Sequence, residues 1–257
     1  MKLFSLFLAG CFLLTTAFAE NNRILRLQTA DDVGIAAGYY PASGDSAAPA
    51  AVLLHDFESS RSECGTFPVL LQHNGIAVLS LDLRGHGDST RRITAGGPEP
   101  VDFHTLKQKD FQNMMFDINA AMDWLEDQPG VDKKRIALIG SGLGANLAVR
   151  YAHQQPGTAA LVLLSPGLAY KDVRIDEVFP QLPCLPLRVA VCVQDSFAYE
   201  SSRRLLDLRK QQGRVSDLKE MIVCSGSLHG GEMLRGVKEL PGVLALWLRQ
   251  VLLGSEE

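Results

Sequence analysis

Three glycines in five residues, Gly140-Ser141-Gly142-Leu143-Gly144, close a short apolar run and open a helical pattern. Residues 136–139 are apolar and β-compatible, as a buried parallel strand should be. Asn146, Leu147, Ala148 and Val149 then begin a helix. Where a strand turns at once into a helix, the two backbones nearly touch. The positions two before and two after the apex must therefore be small. Gly140 and Gly144 fill those places, which makes residue 142 the apex. Taking Ser141 as the apex would put the bulky Ile139 and Leu143 at the small positions. The bend thus pivots on a residue with no side chain, and Ser141 faces the core beside it.

With 257 residues, 46% of them hydrophobic, the chain can bury the core of one α/β domain. The net charge of −4 and the lack of a basic run argue against nucleic acid as a partner. Residues 1–19 differ in kind: Lys2, an apolar stretch, then Ala17-Phe18-Ala19 before Glu20, the pattern of a secretory signal peptide. The expected organisation is a signal peptide over 1–19 and a single domain over 20–257. The mature protein would be secreted or periplasmic, with no membrane span after processing. Leu8-Ala9-Gly10-Cys11 resembles a lipobox and would instead acylate Cys11, but the residues after Cys11 stay apolar. Cys64, Cys184, Cys192 and Cys224 fit no zinc spacing. Most of them read as small buried residues, although export would permit a disulfide among Cys184, Cys192 and Cys224. No metal site and no cofactor motif is indicated; the 140–144 glycines are poorly spaced for a dinucleotide.

Along the chain, strands are expected over 24–27, 35–40, 51–55, 76–82, 136–139, 159–164, 187–193 and 218–224. Helices are expected over 66–73, 110–126, 199–211 and 240–253, with a further one opening after the 140–144 turn. Residues 84–105 read as a long irregular loop. Strands alternating with helices give a mostly parallel central sheet with helices on both faces. Between Ser165 and Leu187 the alternation lapses, leaving room for a minimal cap.

Several motifs now stand in order: Leu53-Leu54-His55-Asp56-Phe57, Asp82-Leu83-Arg84-Gly85-His86-Gly87-Asp88-Ser89, the 140–144 turn, Leu163-Leu164-Ser165-Pro166-Gly167, Asp195 after a strand, and His229-Gly230 after the last one. Together they resemble the α/β-hydrolase superfamily over almost the whole mature chain, and most of all its small bacterial esterase/lipase-like and dienelactone-hydrolase-like members. The resemblance implies the α/β-hydrolase fold and a Gly-x-Ser-x-Gly elbow whose central serine attacks a carbonyl. It makes Asp195 the acid and His229 the base, and Leu143 and Phe57 the backbone donors of an oxyanion hole. Two departures stand out. Gly142 occupies the nucleophile position, so the elbow serine is missing; Asp56 stands where the family has glycine.

The expectation is a hydrolase-fold protein without ordinary serine-hydrolase activity. It would keep an Asp195–His229 dyad and a pocket for a small carbonyl or carboxylate ligand. The alternative is a weak or divergent hydrolase of an ester or peptide-like substrate, through Ser141 or another nucleophile. Ser59, Ser60, Ser225 and Ser227 lie on strand-end loops, and Cys224 lies near His229. None of these serines has an activating partner visible in the sequence; Cys224 could pair with His229 as a nucleophile, but it reads as a buried thiol.

Overall fold

The computed structural model describes residues 22–43, 47–213 and 220–254. The expected signal peptide, the Cys11 lipobox and residues 218–219 of the last expected strand lie outside them. The chain opens with an antiparallel pair, β1 (Arg23–Gln28) and β2 (Val33–Tyr40), and continues through β3 (Ala48–Leu54), α1 (Phe67–His73) and β4 (Ala77–Leu81). A hairpin follows, β5 (Arg91–Thr94) and β6 (Gly97–Pro100), then α2 (Gln108–Asn113), α3 (Met115–Glu126), β7 (Val131–Ser141) and α4 (Leu143–Gln154). Next come β8 (Ala160–Leu164), the short strands β9 (Ala169–Tyr170) and β10 (Val173–Arg174), β11 (Leu187–Cys192) and α5 (Ser196–Gln211). The chain closes through β12 (Met221–Cys224), α6 (Met233–Gly236) and α7 (Leu240–Leu253).

The main sheet has the order β12-β11-β8-β7-β3-β4-β2-β5-β6, with β1 added on β2. From β12 to β4 every pairing is parallel; β2, β5 and β6 extend it antiparallel. Alternate residues of a strand point to opposite faces, so the buried strand β3 feeds two cores. Val52 and Leu54 join Ile118, Leu147 and Leu205 of α3, α4 and α5 on one face. Ala51 and Leu53 join Phe67, Leu71, Leu244 and Leu248 of α1 and α7 on the other. This is the α/β-hydrolase arrangement, with helices on both faces of a mostly parallel sheet.

Two expectations are corrected. Residues 84–105 are not irregular throughout: Arg91–Thr94 and Gly97–Pro100 form a hairpin on the sheet edge. Pro98 and Pro100 hide it in the sequence, but proline is tolerated on an outermost strand such as β6. The helix expected over 110–126 is two helices that meet at Met114, where the Met114 and Asp117 amides bond three residues back and tighten the turn. The expected minimal cap is the β9–β10 hairpin, turned by Lys171 and Asp172 at φ 47° and 61° and tied to α4 by Asn146, which donates to Val173 O and accepts from Gly167 N. Among the described residues no helix is long and apolar enough to cross a membrane.

Candidate active site

The C-terminal ends of the parallel strands bring Asp56, Gly142, Asp195 and His229 together, from the segments after β3, β7, β11 and β12. In open parallel sheets this edge is where ligands bind. The turn after β7 is as tight as its glycines require. A Cβ on Gly140 would strike the Gly144 carbonyl, and one on Gly144 would strike the Leu54 and His55 carbonyls. Gly142, the apex, has φ 48° and ψ −112°, a backbone region that residues with a Cβ adopt only under strain.

A Cβ on Gly142 would also overlap the carboxylate of Asp56. That carboxylate therefore lies in the volume an apex side chain would need. Its Oδ1 accepts the Phe57 N–H at 2.7 Å and the Leu143 N–H at 2.7 Å. These are the two donors expected to form an oxyanion hole, and Leu143 adds the positive end of the α4 dipole. Asp56 Oδ2 lies 3.2 Å from His229 Nε2. On the other side of the ring, His229 Nδ1 lies 2.6 Å from Asp195 Oδ2. Both imidazole nitrogens thus face carboxylates.

The hydrogen bond to Asp56 and then that to Asp195 raise the His229 pKa to about 9, against the opposing effect of burial. At neutral pH the ring is an imidazolium, with Nε2–H donating to Asp56 and Nδ1–H to Asp195. It has no free lone pair with which to take a proton. The Tyr170 ring stands edge-on to it, 6.0 Å between centroids, and Phe197 packs on Tyr170 at 5.4 Å. The Tyr170 hydroxyl donates to the Ser165 carbonyl, and burial pushes its pKa up.

Asp56 is held from behind. His55 Nε2 accepts the Leu83 N–H, so its Nδ1–H donates to the Asp56 carbonyl at 2.5 Å. Burial lowers the His55 pKa to about 4, so this ring stays neutral. Glu63 braces three loops at once. Its Oε2 accepts the Asp56 N–H at 2.9 Å; its Oε1 accepts the Ser141 hydroxyl at 3.0 Å and the Gly231 N–H at 3.2 Å. Burial raises the Glu63 pKa.

The structure thus brings His229, Asp195, Gly142, Leu143 and Phe57 into one cluster. It does not bring Ser141 there. The Ser141 hydroxyl is buried, donates to Glu63 and accepts from Gly231 N, away from the imidazole. Cys224 is a buried thiol on β12, its pKa raised by burial, and Cys64, Cys184, Cys192 and Cys224 are all unpaired thiols. The residues that sequence reasoning missed are Asp56, as an occupant of the hole, and Glu63. The signal for Asp56 was present: two departures from one family pattern, at 56 and 142, compensate each other. Glu63 follows no motif and gave no signal. Among the described residues no cluster of His, Cys, Asp and Glu suited to a metal ion occurs.

Residues 46–222 match the family described as serine aminopeptidase, S33. Two uncharacterized proteins of Mycobacterium tuberculosis, from strains CDC 1551 / Oshkosh and ATCC 25618 / H37Rv, are each 32% identical over 162 residues, which is 63% of this chain. The chain spans about half the length of these curated relatives (50%). Among solved structures, an esterase of Pyrococcus furiosus aligns with TM-score 0.68 at 18% identity, covering 91% of this chain and 93% of the esterase. A dienelactone hydrolase of Anabaena variabilis aligns with TM-score 0.65 at 15% identity, over 93% and 99% of the two chains. At such identities these two structures support the fold alone.

Proposed function

Because the chain belongs to the serine aminopeptidase S33 family, whose fold it shares, we propose that it is an exported hydrolase-fold protein without ordinary serine-hydrolase activity. The single observation that carries this reading is the place of the Asp56 carboxylate. It fills the volume above Gly142, holds both N–H groups that would stabilise a carbonyl oxyanion, and keeps His229 protonated. Each requirement of acyl transfer is thereby missing: the attacking hydroxyl, the vacant oxyanion hole and the unprotonated base. A small carbonyl or carboxylate ligand could use the two donors only after Asp56 swings out, so such binding competes with the Asp56–His229 pair.

Exposure of the protein to a fluorophosphonate probe tests the reading. No serine should be labelled, and turnover of a small ester should not exceed the buffer rate. Stable labelling of Ser141 or of any other serine would overturn it. Export rests on the residue 1–19 pattern. N-terminal sequencing of the mature protein should begin at Glu20, whereas a lipid on Cys11 or a retained Met1 would refute that cleavage.

A further inference from the structure

We propose that Cys192 and Cys224 are a redox-sensitive pair, joined by reaction with a low-molecular-weight disulfide such as glutathione disulfide, and that the new bond resets the Asp195–His229 contact. The two cysteines are the last residues of β11 and β12 and stand opposite each other in that parallel ladder. Neighbouring strands lie about 4.8 Å apart, within the Cα separation of roughly 4.4–6.8 Å that a disulfide spans. Both side chains point to the same face of the sheet, since both join the core built on α1 and α7. The ladder continues past them: Val193 N–H donates to the Cys224 carbonyl at 2.9 Å and Gln194 N–H to the Gly226 carbonyl at 3.0 Å. The strand ends are thus held in the register that faces one thiol with the other.

In the reduced protein Cys192 is tied to the loop that leads to His229. Its thiol donates to the Ser225 carbonyl at 3.7 Å, and its sulfur is hydrogen-bonded by the Leu228 backbone. The Cys192 carbonyl accepts the Asp195 N–H at 3.1 Å. One residue therefore touches both the turn that carries the acid and the loop that carries the imidazole. Cys224 is the more accessible of the two, 7% exposed against 0%, and sits on the outermost strand beside the exposed Val223 and Val193. Burial raises the pKa of both thiols, and at Cys224 the neighbouring Cys192 adds to it. Thiolate is scarce, so attack on an oxidant is slow; once it has happened, the facing thiol completes the bond.

In the first step Cys224 gives its proton to solvent and its thiolate attacks one sulfur of glutathione disulfide. That S–S bond breaks, and one glutathione leaves as a thiolate that takes a proton from solvent. In the second step the Cys192 thiolate attacks the Cys224 sulfur and expels the second glutathione in the same way. Two protein thiols are oxidised to a disulfide, and one glutathione disulfide is reduced to two thiols. In a disulfide the two Cβ atoms sit about 3.8 Å apart, closer than the strand spacing of about 4.8 Å. The bond therefore draws the ends of β11 and β12 together and takes the Cys192 sulfur from the Ser225 carbonyl. Asp195 moves with one strand end and His229 with the other, so their 2.6 Å contact changes. A bond strained in this way is readily reduced, which makes the step reversible.

Cys184 is an exposed thiol that would take up glutathione on its own, so the test uses the Cys184→Ser protein, reduced and then held in glutathione disulfide. Mass spectrometry of its unreduced digest should show the Cys192 and Cys224 peptides joined, and dithiothreitol should separate them. The low-field proton resonance of His229 Nδ1–H, in its short bond to Asp195, should shift on oxidation and return on reduction. In Cys192→Ala and in Cys224→Ala the same treatment should leave that resonance where it was. Two unmodified thiols, glutathione resting on Cys224 alone, or a bond that involves Cys64 would overturn the pair. A Cys192–Cys224 bond with an unmoved His229 resonance, or a shift that survives in either alanine variant, would overturn the coupling to the site.

Discussion

At Gly142 a serine would have to place its Cβ at φ 48° and in the space that the Asp56 carboxylate holds. Strain alone would cost about 1–3 kcal/mol, and the overlap about as much again. The small loss of stability that strain predicts for Gly142→Ser therefore grows once Asp56 is considered. The Asp56–His229–Asp195 row also sets a pH dependence. The folded-state pKa of His229 is raised from 6.5 to about 9, by Asp56 first and Asp195 next, with burial opposing; the partly buried Tyr170 packs on the ring as a neutral phenol. A raised imidazole pKa stabilises the fold fully below pH 6.5, and this contribution fades as pH rises through about 9. Denaturation midpoints should therefore fall between those pH values, and Asp56→Asn should flatten the fall. An equally steep fall in Asp56→Asn would show that the pair does not exist in solution.

The strand ends converge because Glu63 joins the loop after β3, the end of β7 and the turn after His229. Glu63→Ala would leave the Asp56 and Gly231 N–H groups and the Ser141 hydroxyl without that acceptor. Gly231 N–H keeps the Ser141 oxygen as acceptor, but the Asp56 N–H and the Ser141 hydroxyl are stranded, each at roughly 1–3 kcal/mol. Urea unfolding should show a loss of at least about 2 kcal/mol, with faster amide exchange at Asp56 and Gly231; an unchanged midpoint would refute the brace. Elements with clean apolar periods were legible in the sequence. The closing helix is Leu240–Leu253, as its period suggests, and the strands 51–55 and 76–82 hold to within a few residues at their ends. The β5–β6 hairpin was not legible, because its residues are partly or fully exposed and carry prolines, so no apolar alternation marks it. Nor was the break at Met114, because the buried positions Phe111, Met114 and Ile118 keep helical spacing across it.

Across the molecule, the family resemblance and strand-end position pointed to His229, Asp195 and the Leu143 and Phe57 amides, and the structure brings these groups together around Asp56. What a sequence lacks is distance: Asp56 and Leu143 are 87 positions apart, and only the sheet makes them neighbours. The Asp82–Ser89 motif likewise proves to be scaffold rather than site. Arg84 is buried against Asp117 and Asp31, whose carboxylates keep its pKa raised despite burial, while Ser89 links the Asp82 carbonyl to the Ala36 amide. The defining feature of the molecule is the exchange of an apex side chain at 142 for a carboxylate from 56. The most direct measurement is ester turnover by Gly142→Ser and by Asp56→Gly/Gly142→Ser. The single variant should stay at the wild-type level, since Asp56 still fills the hole and keeps His229 protonated. The double variant should rise at least about 100-fold above it. Equal turnover by both variants, or a double variant as silent as the wild type, would contradict the exchange.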